Sequence, residues 1–360
     1  MIAPPKHARI LVVALRRLGD VLLATPLIRS LKQALPDAAI EALVFAGTEG
    51  VLAGNPDLAA VVTMPQGAAA GGFALARALW RQYDVAVSTQ SGDRPTLFAW
   101  IAGRVSVGLV APSGGIARLS RMALDYPVIA NEARHRVEEM LELAAALGVR
   151  AVPDLVCPSG PARPGLLPDG DYAVIHAGPL FRYKRWTAQG WRALAASLRE
   201  RGLAVVATGG SGIADRSYLD EVWAHDAASA PLVRRLDGVL TWPELAQTIR
   251  AARVYVGPDT SVTHLAAATG AMTVALYGPT DPRRWGPWPV GGLSGPWKAA
   301  GTIQHRGNVW LVQNPLPCLP CQNEGCERRI DSYSQCLDEL SPRQVLSAVD
   351  QALDRAGPVI

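Results

Sequence analysis

The sequence has few of the features that mark secreted, membrane-spanning or disulfide-built proteins. Five cysteines in 360 residues are too few for a disulfide scaffold. No segment approaches the ~20 apolar residues that a membrane-spanning helix needs. The first apolar stretch, from Ile10, is soon broken by Arg16, Arg17 and Asp20, so we expect no secretory signal. These absences favour a cytoplasmic globular protein that at most rests on a membrane surface.

Basic clusters are also scarce. The sequence has no arginine-rich arm and no alternation of aromatic and basic residues, so we expect no nucleic-acid partner. The net charge of +4 is compatible with an anionic substrate or an anionic membrane surface. A hydrophobic share of 49% provides ample core material, and a chain of 360 residues is long enough for two domains.

Apolar strand patterns alternate with helical patterns in both halves of the sequence. Thr25-Pro26 predicts the start of a helix that runs to Leu35, with Thr25 as its N-cap. A second helical pattern covers 132–147. The predicted strands are Ile10–Leu15, Ile40–Phe45, Val85–Ser88, Tyr172–His176, Leu203–Ala207 and Val254–Val256. This alternation indicates α/β architecture with parallel sheets.

A proline-rich stretch separates the two halves. Its prolines are Pro153, Pro158, Pro161, Pro164 and Pro168. Because such density is incompatible with a helix interior or a central strand, we expect a linker over about 151–169. The predicted domains are 1–160 and 170–340, and a final helix over 341–360 is expected to pack back toward the first domain. Two Rossmann-like domains facing a central cleft should bind ligands at the carboxyl ends of their strands.

The most informative segment, 253–289, reads as strand, polar turn, helix, strand and polar turn. Asp259, Thr260 and Ser261 supply cap-type oxygens before an Ala/Leu-rich helix, and His264 lies one turn further on. The amides that open a helix are unpaired and its dipole is positive there, so a phosphate is a natural ligand. Alternatively, Thr260 or Ser261 only caps the helix and His264 is a core imidazole.

Two further segments follow predicted strands of the second half. Lys184 can meet a diphosphate as a point charge, or it is a solvated loop lysine. Gly209 and Gly210 belong to a glycine-rich turn that lacks the spacing of a dinucleotide fingerprint or a Walker loop. Both segments are compatible with a nucleotide site, and neither requires one.

Asp20 follows the first predicted strand. It is either a turn or helix-cap carboxylate, or a general base that takes the proton of an attacking hydroxyl. Arg16 and Arg17 beside it are either solvated or hold phosphates of an acceptor by charge-assisted hydrogen bonds.

Four cysteines are concentrated near the end of the chain, at Cys318, Cys321, Cys326 and Cys336. Four thiols in so short a stretch can close a tetrahedral zinc or iron site. The spacing departs from the common two-pair pattern, so free buried thiols or a disulfide formed on isolation remain alternatives.

Together these motifs resemble glycosyltransferase family 9, the lipopolysaccharide heptosyltransferases. The resemblance is carried by LRRLGDVLLATPLIRSLKQALPDA, by the HAG and YKRW block, by ATGG and by GPDTSVTHLAAATGAMTVALYGPTDPRRWGP. It implies a GT-B fold, an ADP-sugar donor bound by the second domain, and a lipopolysaccharide core acceptor bound by the first at the inner membrane. It also implies an inverting transfer that requires no metal for catalysis.

The resemblance further assigns roles to individual residues. Asp20 matches the catalytic base and Lys184 the lysine on the donor diphosphate. The donor-binding block is matched by Asp259, Thr260, Ser261 and His264. Ser261 replaces the usual glycine, and Arg16-Arg17 resembles members that act later on the inner core (types II and III) rather than type I. Two other functions stay open: transfer to a protein or another glycan, and a non-catalytic nucleotide-binding module.

Overall fold

The computed structural model describes residues 4–66, 69–161, 163, 165–224 and 233–356. The chain divides into two compact units, Met1–Pro158 and Ser159–Ile360, and the division falls inside the predicted linker. Its described residues contain no helix or strand. Pro164 of that linker and residues 357–360 of the predicted final helix lie outside the described residues. In the described part of the chain, no helix has the length and apolar character to cross a bilayer.

The first unit is built on a parallel sheet. Its described strands lie in the order β3 (Ala60–Met64), β2 (Ala39–Phe45), β1 (Arg9–Ala14), β4 (Tyr83–Ser88), β5 (Gly103–Val110) and β6 (Tyr126–Ile129). Every pairing among them is parallel. The chain passes from β1 outward to β3 and returns to β4 on the other side of β1. The strand order therefore reverses between β1 and β4, which is where ligands of such sheets bind.

The described helices of this unit are α1 (Leu18–Leu22), α2 (Thr25–Ala34), α3 (Ala69–Leu79), α4 (Asp93–Ala102), α5 (Gly115–Ala123) and α6 (Arg136–Ala146), of which α1 to α5 lie between strands and α6 follows β6. The prediction that Thr25 caps α2 is wrong, because Ala24 holds the N-cap position. The helix α1 leads almost directly into α2, so the Thr25 hydroxyl donates to the Leu22 carbonyl at 2.7 Å instead. The helix predicted over 132–147 begins at Arg136, where His135 and Glu138 form a capping box.

The second unit contains another, mostly parallel sheet. Its described strands lie in the order β12 (Ile303–Arg306), β13 (Val309–Val312), β11 (Thr273–Leu276), β10 (Val254–Pro258), β7 (Tyr172–His176), β8 (Ala204–Thr208) and β9 (Arg234–Arg235). The pair β12–β13 is antiparallel and the other pairings are parallel. Here the order reverses between β7 and β10.

The helices of the second unit within the described residues are α7 (Ala188–Glu200), α8 (Ile213–Val222), α9 (Trp242–Arg250), α10 (Ser261–Thr269), α11 (Pro282–Trp285), α12 (Gln335–Asp338) and α13 (Pro342–Ala356). The sequence predicted that the final helix packs toward the first domain. Its buried residues Val345, Ala348, Val349 and Ala352 join the core of the second unit, beside β11 and β13, and the predicted packing toward the first domain stays a prediction. Their spacing forms one apolar stripe, which this sheet covers.

Candidate functional site

The switch point of the second sheet brings the strongest sequence motif together with Lys184. Thr260 is the N-cap of α10, and its hydroxyl accepts from the Thr263 amide at 3.4 Å. The first intrahelical bonds are donated by Thr263 and His264, so the Ser261 and Val262 amides precede them at the positive end of the helix. Both interpretations of Thr260 therefore apply: it caps the helix, and it stands where an anion would bind.

Lys184 lies in the loop after β7 and contacts the turn after β10. Its Nζ donates to Asp259 Oδ2 at 2.6 Å, and the Thr280 hydroxyl donates to the same oxygen at 2.6 Å. Thr280 belongs to the polar turn after β11. Three loops at adjacent strand ends thus converge on one carboxylate. Lys184 is partly exposed whereas Asp259 is buried, so the lysine presents the outer face of the pair.

Asp259 remains ionised despite its burial. Burial alone raises the pKa of this carboxyl, but the charge and hydrogen bond of Lys184, the Thr280 hydroxyl and nearby His264 outweigh it. The net result is a pKa below the ordinary value. Asp259 therefore acts as a fixed negative charge that holds Lys184 in place.

The glycine-rich turn after β8 packs tightly against α8. A Cβ on Gly209 would lie 2.2 Å from a Leu219 methyl carbon, and one on Gly210 would lie 2.3 Å from Asp215 Oδ2. An added Cβ at either position would force the end of a neighbouring side chain to move, so glycine allows the close packing seen at this strand end. Asp237, which the sequence analysis did not single out, lies against Gly209 and pairs with Arg235 at 2.7 Å.

Asp20 lies in α1, just past the carboxyl end of β1 and at the switch point of the first sheet. Its Oδ1 is 3.4 Å from Arg16 Nη1 and 3.9 Å from Arg136 Nε. The first arginine is exposed, and Arg17 beside it is exposed as well. The Asp20 side chain is mostly buried, so its carboxylate faces guanidinium groups more than bulk water.

Arg136 is a functional candidate that the sequence analysis missed. Its side chain is 4% exposed, and it bonds Glu139 Oε2 at 2.7 Å and the Thr89 carbonyl. Burial lowers the pKa of Arg136, whereas Glu139 and Asp20 oppose this shift. The sequence did contain a pattern that could have indicated this residue. Arg136 and Glu139 are three residues apart, on the face of α6 that also buries Val137 and Met140. Charges on a buried face require partners.

The four C-terminal cysteines are all free thiols. Cys336 is buried, Cys321 half-buried, and Cys318 and Cys326 exposed. Burial and the three neighbouring cysteines raise the pKa of Cys336 to about 12. The four side chains are therefore neighbours. Within the described ranges, however, no three His, Cys, Asp or Glu side chains are assembled as a metal-binding group.

The two largely parallel sheets, each with polar side chains gathered where its strand order reverses, form an α/β protein with the GT-B fold. The model of the family "Glycosyltransferase family 9 (heptosyltransferase)" matches residues 73–291. The chain belongs to this family and is a glycosyltransferase.

Curated and solved relatives agree with that assignment. The chain is 29% identical to lipopolysaccharide heptosyltransferase 3 of Escherichia coli over 75% of this chain and 83% of the relative. It is 27% identical to lipopolysaccharide heptosyltransferase 1 of Pseudomonas aeruginosa over 96% and 98%. The structure of E. coli ADP-heptose lps heptosyltransferase II superposes with a TM-score of 0.74 at 20% identity, covering 97% of this chain and all of that one.

Proposed function

We propose that this protein transfers heptose from ADP-heptose to the inner core of lipopolysaccharide, as a type II or III rather than a type I enzyme. The observation that carries the proposal is the convergence of Lys184, Asp259 and the N-terminus of α10 at one switch point. Relatives named as heptosyltransferases of these types support the sugar and the acceptor class. The Arg16-Arg17 pair supports the later type.

The donor half of the reaction needs stabilisation of a departing diphosphate. In this proposal, Lys184 and the opening amides of α10 bind the diphosphate oxygens, since preorganised positive groups stabilise developing negative charge. Asp259 keeps Lys184 in position. Gly209, Gly210 and His264 complete the donor-binding region. This arrangement replaces a catalytic divalent ion, so the transfer proceeds without one.

The acceptor half needs a base. Asp20 takes the proton from the acceptor hydroxyl while the hydroxyl oxygen attacks the anomeric carbon of the donor. The bond between that carbon and the diphosphate breaks in the same displacement. A single displacement inverts the anomeric configuration. Arg16 and Arg17 contact phosphates of the acceptor, and Arg136 holds the Asp20 carboxylate. We place the reaction at the cytoplasmic face of the inner membrane, with no nucleic-acid partner.

The test is a transfer assay with ADP-heptose and lipopolysaccharide core acceptors of defined length. Asp20→Asn should lower kcat by at least about 100-fold while the dissociation constant of ADP changes little, because the carboxylate acts on the acceptor. Asp57→Asn, a carboxylate of the same unit paired with Arg29, is the matched control. Near-normal turnover of Asp20→Asn removes Asp20 from the role of base. If the enzyme transfers heptose to a protein acceptor but not to the lipopolysaccharide core, the proposed acceptor is wrong.

A structural zinc or iron at the four cysteines is a separate proposal, supported by their mutual proximity and not by an assembled site. Elemental analysis of protein purified without chelator should find about one metal per chain, bound by thiolates. The variant Cys326→Ser should lose it, whereas Cys157→Ser in the linker should not. Metal-free wild-type protein of unchanged stability contradicts this proposal.

A further inference from the structure

Three neighbouring helices of the first unit turn large apolar side chains toward solvent. Phe73 of α3 and Met122 of α5 are each 76% exposed, Leu119 of α5 is 67% exposed and Leu97 of α4 is 50% exposed. Scattered exposed apolar residues are ordinary, but a contiguous group marks an interaction surface. We refer to the exposed side chains of Phe73, Trp80, Leu97, Trp100, Leu119 and Met122 as the α3–α5 surface.

The three helices that carry these side chains pack side by side. The helices α3 and α4 contact each other, as do α4 and α5. Trp80, just after α3, meets Trp100 of α4 edge to face, with ring centroids 6.1 Å apart. Leu97 precedes Trp100 by three residues and so lies on the same side of α4. The indole pair therefore joins α3 to α4, and α5 extends the surface.

The helix α5 is inverted relative to an ordinary surface helix. Its small residues Ala117 and Ser120 face the protein, whereas Ile116, Leu119 and Met122, spaced by three, face outward. A surface helix of a soluble protein normally buries its apolar stripe. An outward apolar stripe flanked by basic residues is typical of helices that lie in a membrane interface.

The charge around this surface identifies its partner. Residues 69–126 contain six arginines, three aspartates, and neither lysine nor glutamate. Arg118 and Arg121 flank the apolar stripe of α5, and Arg77 lies on α3. Of the aspartates, Asp125 is held by Ser106 at 2.8 Å. The surface is therefore basic as well as apolar, which complements anionic lipid headgroups over acyl chains.

A second copy of this chain fits the surface less well. A twofold interface would place this net positive surface against itself, and like charges facing each other oppose association. Tryptophan and arginine side chains, in contrast, are favoured at the boundary between water and lipid. Arg81 lies over the Trp80 ring, with its guanidinium carbon 5.8 Å from the ring centroid, and so keeps a positive charge beside an exposed indole.

We propose that the α3–α5 surface binds anionic phospholipid bilayers and inserts the outward side chains of α5 into the interface. The inference rests on the proposed function only in the choice of membrane, since a lipid-anchored acceptor lies at such a bilayer. Binding itself does not require transfer.

The experiment is flotation of the full chain with vesicles of phosphatidylglycerol and, separately, of phosphatidylcholine. Wild-type protein should float with the anionic vesicles, and binding should weaken as salt rises. The double variant Leu119→Glu/Met122→Glu should bind at least about tenfold more weakly with an unchanged melting temperature, because both side chains are solvent-exposed. Val290→Glu, which changes an exposed apolar residue of the second unit, is the matched control.

Three results would overturn the proposal. Wild-type protein could fail to float with phosphatidylglycerol vesicles, or the double variant could float equally well. Sedimentation velocity could also show a wild-type dimer that the double variant disrupts, which would make the surface a protein interface. The proposed function is tested separately by the transfer assay. If the protein floats with the vesicles but transfers no heptose, the membrane-binding proposal stands and the proposed function is contradicted.

Discussion

The charge of Asp259 makes its contribution to stability depend on pH. Because its pKa is lowered in the folded protein, the unfolded chain binds the proton first as pH falls. The ion pair with Lys184 therefore contributes fully above the ordinary carboxyl pKa of 3.8 and is lost as pH falls through the lower folded value. Denaturant unfolding of wild type and Asp259→Asn should show a stability difference at pH 7 that shrinks below pH ~4. A constant difference contradicts a charged Asp259.

Lys184 separates a structural effect from a binding effect. Lys184→Met should weaken ADP binding by about 100-fold, because a charge-assisted contact to the diphosphate is lost. It should also destabilise the fold, since Asp259 stays buried without this ion pair. The double variant Lys184→Met/Asp259→Asn should recover stability but not ADP affinity. Recovery of both by the double variant would show that Lys184 has only a structural role.

Arg136 is expected to affect stability and turnover together. Arg136→Met leaves the fully buried Glu139 without its ion-pair partner and should cost about 3–5 kcal/mol of unfolding free energy. Arg136→Met/Glu139→Gln should regain most of that stability. If Arg136 positions Asp20, the double variant should still show a kcat reduced about tenfold with an unchanged KM for donor. Wild-type kcat in the stable double variant would leave Arg136 a purely structural role.

At the scale of elements, His176 joins β7 to β8 through Thr208. Its Nδ1 is 3.0 Å from the Thr208 hydroxyl, and burial lowers the pKa of His176 to about 4. Between pH 6.5 and 4 the unfolded chain binds the proton and the folded chain does not, so stability falls as pH falls. The loss should reach about 3 kcal/mol at pH 4. His176→Gln should lack this component in denaturant unfolding at pH 7, 5.5 and 4; an identical pH dependence contradicts burial as the cause.

Gly257 shows how β10 fits against α10. A Cβ at this position would lie 2.2 Å from the Tyr255 hydroxyl, which is bonded to Thr263 at 2.9 Å. Gly257→Ala should therefore displace Tyr255, cost about 1–3 kcal/mol and raise the KM for donor, because Thr263 belongs to the first turn of α10. Gly295→Ala, where a Cβ meets nothing within 4 Å, is the control. Equal stability of the two variants would show that β10 and α10 adjust freely.

Sequence patterns predicted the elements that have strong periodicity or turn chemistry. The strand over Tyr172–His176 and the turn and helix around Thr260 were found because buried parallel strands are continuous apolar runs and caps have distinctive residues. The helices α4 and α5 were not predicted. Exposed Leu97, Leu119 and Met122 blur the apolar period that identifies a surface helix.

Contacts between distant residues were harder to predict. Lys184 and Asp259 were each named from the strands that precede them, but the ion pair between them depends on β7 and β10 being neighbours. Arg136 and Asp237 each have a pairing partner close in sequence, Glu139 and Arg235, but they were missed because their contacts with Asp20 and Gly209 join segments that are distant in sequence. Thr280 lies in the second polar turn of the segment 253–289, and no role was predicted for it. Strand order, which sequence periodicity does not contain, determines which loops meet.

At the scale of the whole molecule, two sheets that share the same kind of strand-order reversal carry different side chains at that point. The switch point of the first sheet holds Asp20 among arginines, and that of the second holds Lys184 at the start of a helix. In the proposed mechanism, the reversal of strand order places a base in one unit and an anion-binding group in the other. Membership of the family establishes that the protein is a glycosyltransferase. The roles of individual residues are proposals, and the experiments above are designed to test them.

The measurement that tests the central proposal most directly is mass spectrometry with NMR of the product. Purified protein is incubated with ADP-heptose, a defined lipopolysaccharide core acceptor and excess chelator. The product should gain the mass of one heptose residue with its anomeric configuration opposite to that of the donor. An unchanged core, retention of configuration, or transfer that stops when divalent ions are removed would contradict the proposed reaction.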